Sequence, residues 1–97
     1  MNNTFGFIGT GNMGGALARA VCKTIPAQQV LLSNRTPAKA QALAEQLGAR
    51  VVKNPEAAGE SDLLFLGVKP HLMKDVLAPL QGALKANKPL LITMAAG

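Results

Sequence analysis

Short runs of apolar residues alternate along the chain with longer segments in which apolar residues recur every three or four positions. The short runs predict β-strands, and the longer segments predict amphipathic helices between them. The predicted strands are residues 5–8, 30–32, 51–52, 63–66 and 90–93. Strands that alternate with helices are typical of βαβ units. The pattern therefore predicts an α/β fold with a Rossmann-like, doubly wound parallel sheet.

Proline, glycine and small polar residues predict the helix boundaries. The four predicted helices begin at Asn12, Thr36, Asn54 and Lys69. The first runs to about residue 23, and the later breaks fall at Pro26, Gly48 and Pro79. The fourth predicted strand, 63–66, is apolar throughout, which predicts burial on both faces. Residues 1–97 are thus predicted to form one dinucleotide-binding domain. Because the sequence ends on a strand and a small-residue turn, we expect a longer natural protein.

Composition excludes several function classes. The net charge is +5, but the ten basic residues are scattered, and there are three aromatic residues, so neither a polybasic arm nor a base-stacking surface for nucleic acid is predicted. No apolar stretch is long enough to span a membrane. Cys22 is the single cysteine and His71 the single histidine, which predicts no disulfide, no metal site and no cysteine nucleophile. A cytoplasmic protein is the expectation.

A glycine-rich segment follows the first predicted strand and opens the first predicted helix. It reads G-x-G-x-x-G, from Gly9 through Thr10, Gly11, Asn12 and Met13 to Gly14. In this context the spacing is the fingerprint of a dinucleotide site. Gly9 permits the tight turn, Gly11 lets the backbone approach a pyrophosphate, and Gly14 lets the helix pack closely on the strands. The helix amides then bind the phosphates.

The end of the second predicted strand indicates which dinucleotide is preferred. An NAD site usually places a carboxylate there, on the ribose hydroxyls. This chain has Ser33, Asn34, Arg35 and Thr36 instead. Nothing acidic would repel a 2′-phosphate, and the Arg35 guanidinium can donate to it. The sequence predicts NADP(H), with NAD(H) as second choice. Thr36 is also a sufficient helix cap.

These motifs resemble those of pyrroline-5-carboxylate reductases, which use NAD(P)H to make proline from a cyclic imine. The amino-terminal signature of the family is similar to the segment from Phe7 and Ile8 to Gly14. The run from Ser61 to Pro70 ends in the family's Val-Lys-Pro motif, and residues 95–97 match its small-residue turn. The resemblance covers the whole chain. It implies a missing carboxy-terminal helical domain that supplies dimerisation and most of the imine site, so a homo-oligomer is expected for the full-length protein.

The resemblance also implies cofactor contacts outside the glycine segment. Asn54 lies where the family contacts the adenosine side, while Val68, Lys69, Pro70 and Ala96 lie beside the ribose and nicotinamide. Each residue has a structural alternative, such as helix capping by Asn54 or helix initiation at Lys69 and Pro70. No catalytic residue is assigned.

Three functions remain open from the sequence. The first is the NADPH-binding domain of an enzyme that reduces 1-pyrroline-5-carboxylate to L-proline, with a small-molecule imine as substrate. The second is a related 3-hydroxyacid or 6-phosphogluconate type of dehydrogenase, which shares the glycine segment but is not expected to carry Val68, Lys69 and Pro70. The third is a non-catalytic NADP-binding module.

Overall fold

Five parallel strands form one sheet in the computed structural model, which describes residues 3–9, 12–34 and 37–93. The strands are β1 (Phe5–Ile8), β2 (Val30–Ser33), β3 (Arg50–Val51), β4 (Leu63–Leu66) and β5 (Leu90–Thr93). Their order across the sheet is β3-β2-β1-β4-β5. The chain thus builds outward from β1 to β3, then returns to place β4 against the other side of β1. This is the doubly wound order, so the predicted fold class is confirmed.

Helices cover both faces of the sheet. They are α1 (Asn12–Val21), α2 (Pro37–Leu47), α3 (Asn54–Glu60), α4 (Pro70–Leu77) and α5 (Gln81–Asn87). The break predicted at Pro79 is a 3-10 turn, Ala78–Leu80, after which the chain resumes as α5. The apolar pattern did not separate α5 from α4, because both helices pack against the same face of the sheet.

Two apolar clusters lie on opposite faces of the sheet, because successive strand residues point to opposite sides. On one face, α1 and α2 pack against Phe7, Val30 and Leu32. On the other face, α3 and α5 together with the turn between α4 and α5 pack against β1 and β4. The residues buried in this second cluster are Ile8, Ala57, Ala58, Leu64, Leu66 and Leu80.

The aromatic residues stack on the face covered by α1 and α2. The Phe7 and Phe65 ring centroids are 4.7 Å apart with an interplanar angle of 9°. The Phe5 ring also stacks with Phe65, with centroids 6.4 Å apart. Phe65 is nevertheless only half-buried, as is Leu63. The prediction that β4 is buried on both faces is therefore wrong on this side, where Phe65 packs against the cluster under α1 and α2 but remains partly exposed.

The two outer strands differ in exposure and in length. β5 pairs with β4 alone, and 62% of Leu90 and 42% of Leu91 are exposed. β3 begins one residue before its predicted position and contains only two residues. The Val52 N–H still donates to the Leu32 carbonyl at 2.9 Å, so the β-ladder continues just past the strand.

Helix α1 ends earlier than predicted, at Val21.

Candidate functional site

The carboxyl ends of β1, β2 and β4 meet at one edge of the sheet. The Gly9 N–H donates to the Ser33 carbonyl at 2.8 Å, and the Gly67 N–H donates to the Ile8 carbonyl at 2.8 Å. The loop after β1 leads to one face of the sheet and the loop after β4 leads to the other. The crevice between such diverging connections is where open α/β sheets bind ligands.

Gly9 occupies a position that only glycine accepts. Its φ of +86° lies in the left-handed region, which side chains disfavour. A Cβ at this residue would lie 2.7 Å from the Gly67 carbonyl oxygen and 3.1 Å from Val68 Cγ1. The turn after β1 is thus packed tightly against the turn after β4, and the first glycine of the fingerprint makes that approach sterically feasible.

Two clefts at this edge are lined by described residues. A cleft of about 390 Å³ lies between the end of β1 and helix α4, where Ile8, Gly9 and Val68 face the side chains of Leu72 and Asp75. We call this the inner cleft. A second cleft of about 590 Å³, the outer cleft, lies over the ends of β2 and β3. It is lined by Ser33, Asn34, Val51, Val52, Lys53, Asn54, Pro55 and Glu56.

Asn34 and Asn54 line both clefts and therefore mark their junction. The sequence allows Asn54 as a helix cap, but the cap position of α3 belongs to Lys53, and Asn54 is the first helical residue. Its side chain instead reaches back to β2, where the Ser33 hydroxyl donates a short hydrogen bond to the Asn54 Oδ1. The side-chain capping role is therefore wrong. Asn54 belongs to the edge of the clefts.

The structure brings together five of the residues predicted to bind a cofactor. Ile8, Gly9, Asn34, Asn54 and Val68 all line the inner cleft. The structure also places four other predicted positions. Asn12 and Met13 begin α1, Lys69 is exposed at the cap position of α4, and Pro70 is the first residue of that helix. The remaining predicted residues, Thr10, Gly11, Arg35, Thr36 and Ala96, lie outside the described residues.

Sequence reasoning missed the contact that Ser33 makes and did not identify Asp75 at this edge. Ser33 is only 3% exposed and supplies the hydroxyl that binds Asn54. Asp75 places an exposed carboxylate on α4 at the inner cleft. A buried polar residue at the carboxyl end of a central strand is a signal that could have identified Ser33. No comparable signal exists for Asp75, because an exposed acid on a helix is common.

The structure also describes the single cysteine and the single histidine of the chain. Cys22 is half-buried against the cluster under α1 and α2, and burial raises the pKa of its thiol. A raised pKa lowers the thiolate fraction, as expected for a packed cysteine rather than a nucleophile. His71 is exposed on α4. In residues 3–9, 12–34 and 37–93, no group of three or more His, Cys, Asp or Glu side chains could hold a metal ion.

Within residues 3–9, 12–34 and 37–93, no helix has both the length and the apolarity needed to span a membrane.

Comparison with known proteins places this geometry in a family. A family model described as NADP oxidoreductase coenzyme F420-dependent matches residues 4–97. The chain belongs to this family. The resemblance to pyrroline-5-carboxylate reductases is also confirmed. Such an enzyme from Vibrio alginolyticus is 40% identical over 93 residues, which cover 94% of this chain and 34% of the relative.

Solved structures agree with the sequence comparison. A pyrroline-5-carboxylate reductase from Coxiella burnetii superposes with a TM-score of 0.90 at 28% identity, over 100% of this chain and 37% of that protein. An imine reductase from Myxococcus stipitatus in complex with NADP+ superposes with a TM-score of 0.81 at 28% identity, over 97% of this chain and 32% of that protein. This family member therefore spans about a third of the length of each relative.

Proposed function

We propose that this chain binds NADP(H) along the carboxyl edge of its sheet and is the cofactor-binding part of a pyrroline-5-carboxylate reductase. The observation that carries the proposal is the turn at Gly9. Because Gly9 has a positive φ and lies against Gly67, only a residue without a side chain fits here, where the inner cleft begins. A dinucleotide's pyrophosphate needs such a close approach to the main chain.

The residues at the clefts fit a dinucleotide. Ile8, Gly9 and Val68 line an apolar floor in the inner cleft, while Asn34 and Asn54 bring amides to its junction with the outer cleft. NADP(H) supplies the hydride of the reaction when it is bound. The part assigned to this chain is to bind the cofactor and orient it. Thr10, Gly11, Asn12, Met13, Lys69, Pro70 and Ala96 stay in the proposed site on the strength of the sequence motifs.

Preference for NADP(H) over NAD(H) rests on the end of β2. Ser33 and Asn34 are neutral, and the next residues are Arg35 and Thr36. A guanidinium at this position offers a 2′-phosphate two parallel donors, whereas an acidic residue would repel it. The Myxococcus stipitatus imine reductase is known in complex with NADP+, which supports NADP(H) as a cofactor for this chain.

The proposal extends to the whole protein. The substrate would be the cyclic imine 1-pyrroline-5-carboxylate and the product L-proline. A carboxy-terminal helical domain, formed by further chain, would hold the imine and mediate homo-oligomer formation. The full-length protein would act in the cytoplasm. Support for these parts comes from the names of the relatives and from their roughly threefold greater length.

Titration with NADPH and NADH tests the cofactor assignment. We expect tighter binding of NADPH, and we expect Arg35→Ala to reduce that preference by about 10- to 100-fold, as loss of a charge-assisted hydrogen bond implies. Arg19→Ala is the matched control, because Arg19 is an exposed arginine on α1 away from both clefts. Equal affinities for the two cofactors in the unsubstituted chain would contradict the NADP preference.

A second candidate is an imine reductase that accepts other cyclic imines. It is favoured by the TM-score of 0.81 to the Myxococcus stipitatus enzyme. The two candidates share the cofactor and differ in the substrate. Oxidation of NADPH by the natural full-length protein separates them, with 1-pyrroline-5-carboxylate compared against a cyclic imine that lacks a carboxylate. Turnover of the carboxylate-bearing imine alone would favour the first candidate.

A further inference from the structure

The hydroxyl of Ser33 joins two parts of the sheet edge that are 21 residues apart in the chain. Ser33 is the last residue of β2, lies opposite Ile8 in the parallel register and is only 3% exposed. Its carbonyl accepts the Gly9 N–H at 2.8 Å, and its hydroxyl donates to the Asn54 Oδ1. One buried residue thus contacts both the glycine turn and the start of α3.

The hydrogen bond to Ser33 also determines which polar atoms of the Asn54 side chain remain for a ligand. An asparagine amide has one acceptor oxygen and one nitrogen with two donors, which diverge from the same carbon. With Oδ1 accepting from the Ser33 hydroxyl, the Asn54 Nδ2 is directed elsewhere, and no hydrogen bond from it is found within the described part of the chain. Asn54 borders both clefts. Its two N–H donors are therefore the groups it can offer to a ligand at the junction.

We propose that Ser33 is a positioning residue: its hydroxyl fixes the Asn54 amide so that the Asn54 Nδ2 donates to a ligand oxygen where the two clefts meet. The inference rests on the proposed dinucleotide function. The matching ligand chemistry is a hydrogen-bond acceptor, such as a sugar hydroxyl or a phosphate oxygen of NADP(H). Ser33 lines the outer cleft but is only 3% exposed, and its hydroxyl proton is engaged by Asn54, so its role is assigned through the Asn54 amide.

A double-mutant cycle tests this coupling. NADPH dissociation constants are measured for the unsubstituted chain, Ser33→Ala, Asn54→Ala and the double variant. We expect Ser33→Ala to weaken binding about 3- to 10-fold, the range for one neutral hydrogen bond. In the Asn54→Ala background the same substitution is expected to change binding by less than about 2-fold, because no amide remains to be positioned. Equal losses in both backgrounds, or no loss in either, would overturn the proposal.

Two further variants separate positioning from a general effect on structure. Ser33→Thr keeps a hydroxyl and is expected to restore most of the affinity lost in Ser33→Ala. Ser61→Ala makes the same change at another buried serine, which lies at the opposite end of the sheet, and is expected to leave NADPH affinity unchanged. If Ser61→Ala weakens NADPH binding as much as Ser33→Ala does, both substitutions act by destabilising the fold, and the positioning role is wrong.

A readout without cofactor distinguishes failure of this inference from failure of the proposed function. Nitrogen relaxation of the Asn54 side-chain amide is measured by NMR in the cofactor-free chain. We expect an ordered amide in the unsubstituted chain and a mobile amide in Ser33→Ala. If the chain binds neither dinucleotide, the proposed function is wrong, and the relaxation data still decide whether Ser33 holds Asn54. Equal amide mobility in the two chains overturns the inference whatever the affinities are.

Discussion

Each end of the central strand β1 brings a glycine and a buried serine together, but the two ends use them differently. At the carboxyl end, Gly9 adopts a positive φ against the backbone of Gly67, and the Ser33 hydroxyl binds Asn54. At the amino end, Gly6 lies against Ser61, whose Oγ is buried and has no hydrogen-bond partner among the described residues. One pair organises polar groups at a cleft, and the other fills space.

The difference shows how a site is separated from the scaffold that supports it. The Gly6 contact involves a side-chain atom, since a Cβ at Gly6 would overlap the Ser61 Oγ, so a smaller side chain can relieve it. The Gly9 contact involves a carbonyl oxygen and a backbone conformation, which no neighbouring substitution can relieve. We therefore expect substitutions at the amino end to change stability alone, and substitutions at the carboxyl end to change binding as well.

The largest effect is expected for Gly9→Ala. The added methyl would meet the Gly67 carbonyl at 2.7 Å in a disfavoured conformation. We expect the free energy of unfolding to fall by about 1 to 3 kcal/mol, and NADPH binding to weaken by at least about 10-fold because the turn beside the inner cleft must shift. Urea unfolding and NADPH fluorescence titration measure the two effects.

A control for this change is Gly82→Ala, because Gly82 lies in α5 and a methyl group added there would have no neighbouring atom within 4 Å. It should raise stability by about 0.5 to 1 kcal/mol, since alanine loses less backbone entropy in a helix, and leave NADPH affinity unchanged. Unchanged stability and affinity in Gly9→Ala would show that the turn tolerates a side chain, and the contrast between the two ends would fail.

Gly6→Ala is expected to lower the free energy of unfolding by about 1 to 3 kcal/mol, the range for overpacking a core. Adding Ser61→Ala should restore part of this loss, because it removes the overlap with the Ser61 Oγ and leaves the tight contacts of the new methyl with Leu64 Cδ1 at 3.0 Å and Ser61 Cβ at 3.1 Å. NADPH affinity should equal that of the unsubstituted chain in the folded double variant. A double variant as unstable as Gly6→Ala alone would mean that the Ser61 hydroxyl is not the obstacle.

The smallest effects are expected where two helices end before outer strands. Gly48 follows α2 with a φ of +77°, and Lys88 follows α5 with a φ of +53°. Gly48→Ala should destabilise by about 1 kcal/mol, whereas Lys88→Gly should stabilise by about 0.5 to 1 kcal/mol, because glycine alone adopts the left-handed conformation without strain. Thermal unfolding measures both. Stability changes of opposite sign, with unchanged NADPH affinity, would show that both positions affect the fold and not the binding site.

Much of this architecture was predictable because it depends on local patterns. The strand runs, the proline at the start of α4 and Gly48 after α2 each act on their own neighbourhood, and the structure has elements at all of these positions. The parallel α/β class also follows from strands that alternate with helices, and the order β3-β2-β1-β4-β5 is consistent with it. The glycine fingerprint identified the end of β1 as a binding edge for the same reason, since its function depends on a strand, a turn and a helix that are adjacent in sequence.

Tertiary structure alone decided how distant segments meet at that edge. Asn54 before Pro55 has the local signature of a cap, yet its side chain binds Ser33 because the parallel pairing of β2 and β3 brings the start of α3 beside the end of β2. The contact of Gly9 with Gly67 likewise depends on the pairing of β1 with β4. Local propensity acts within a few residues, whereas these contacts join segments 21 and 58 positions apart in the chain. Only the packed sheet brings such distant segments into contact.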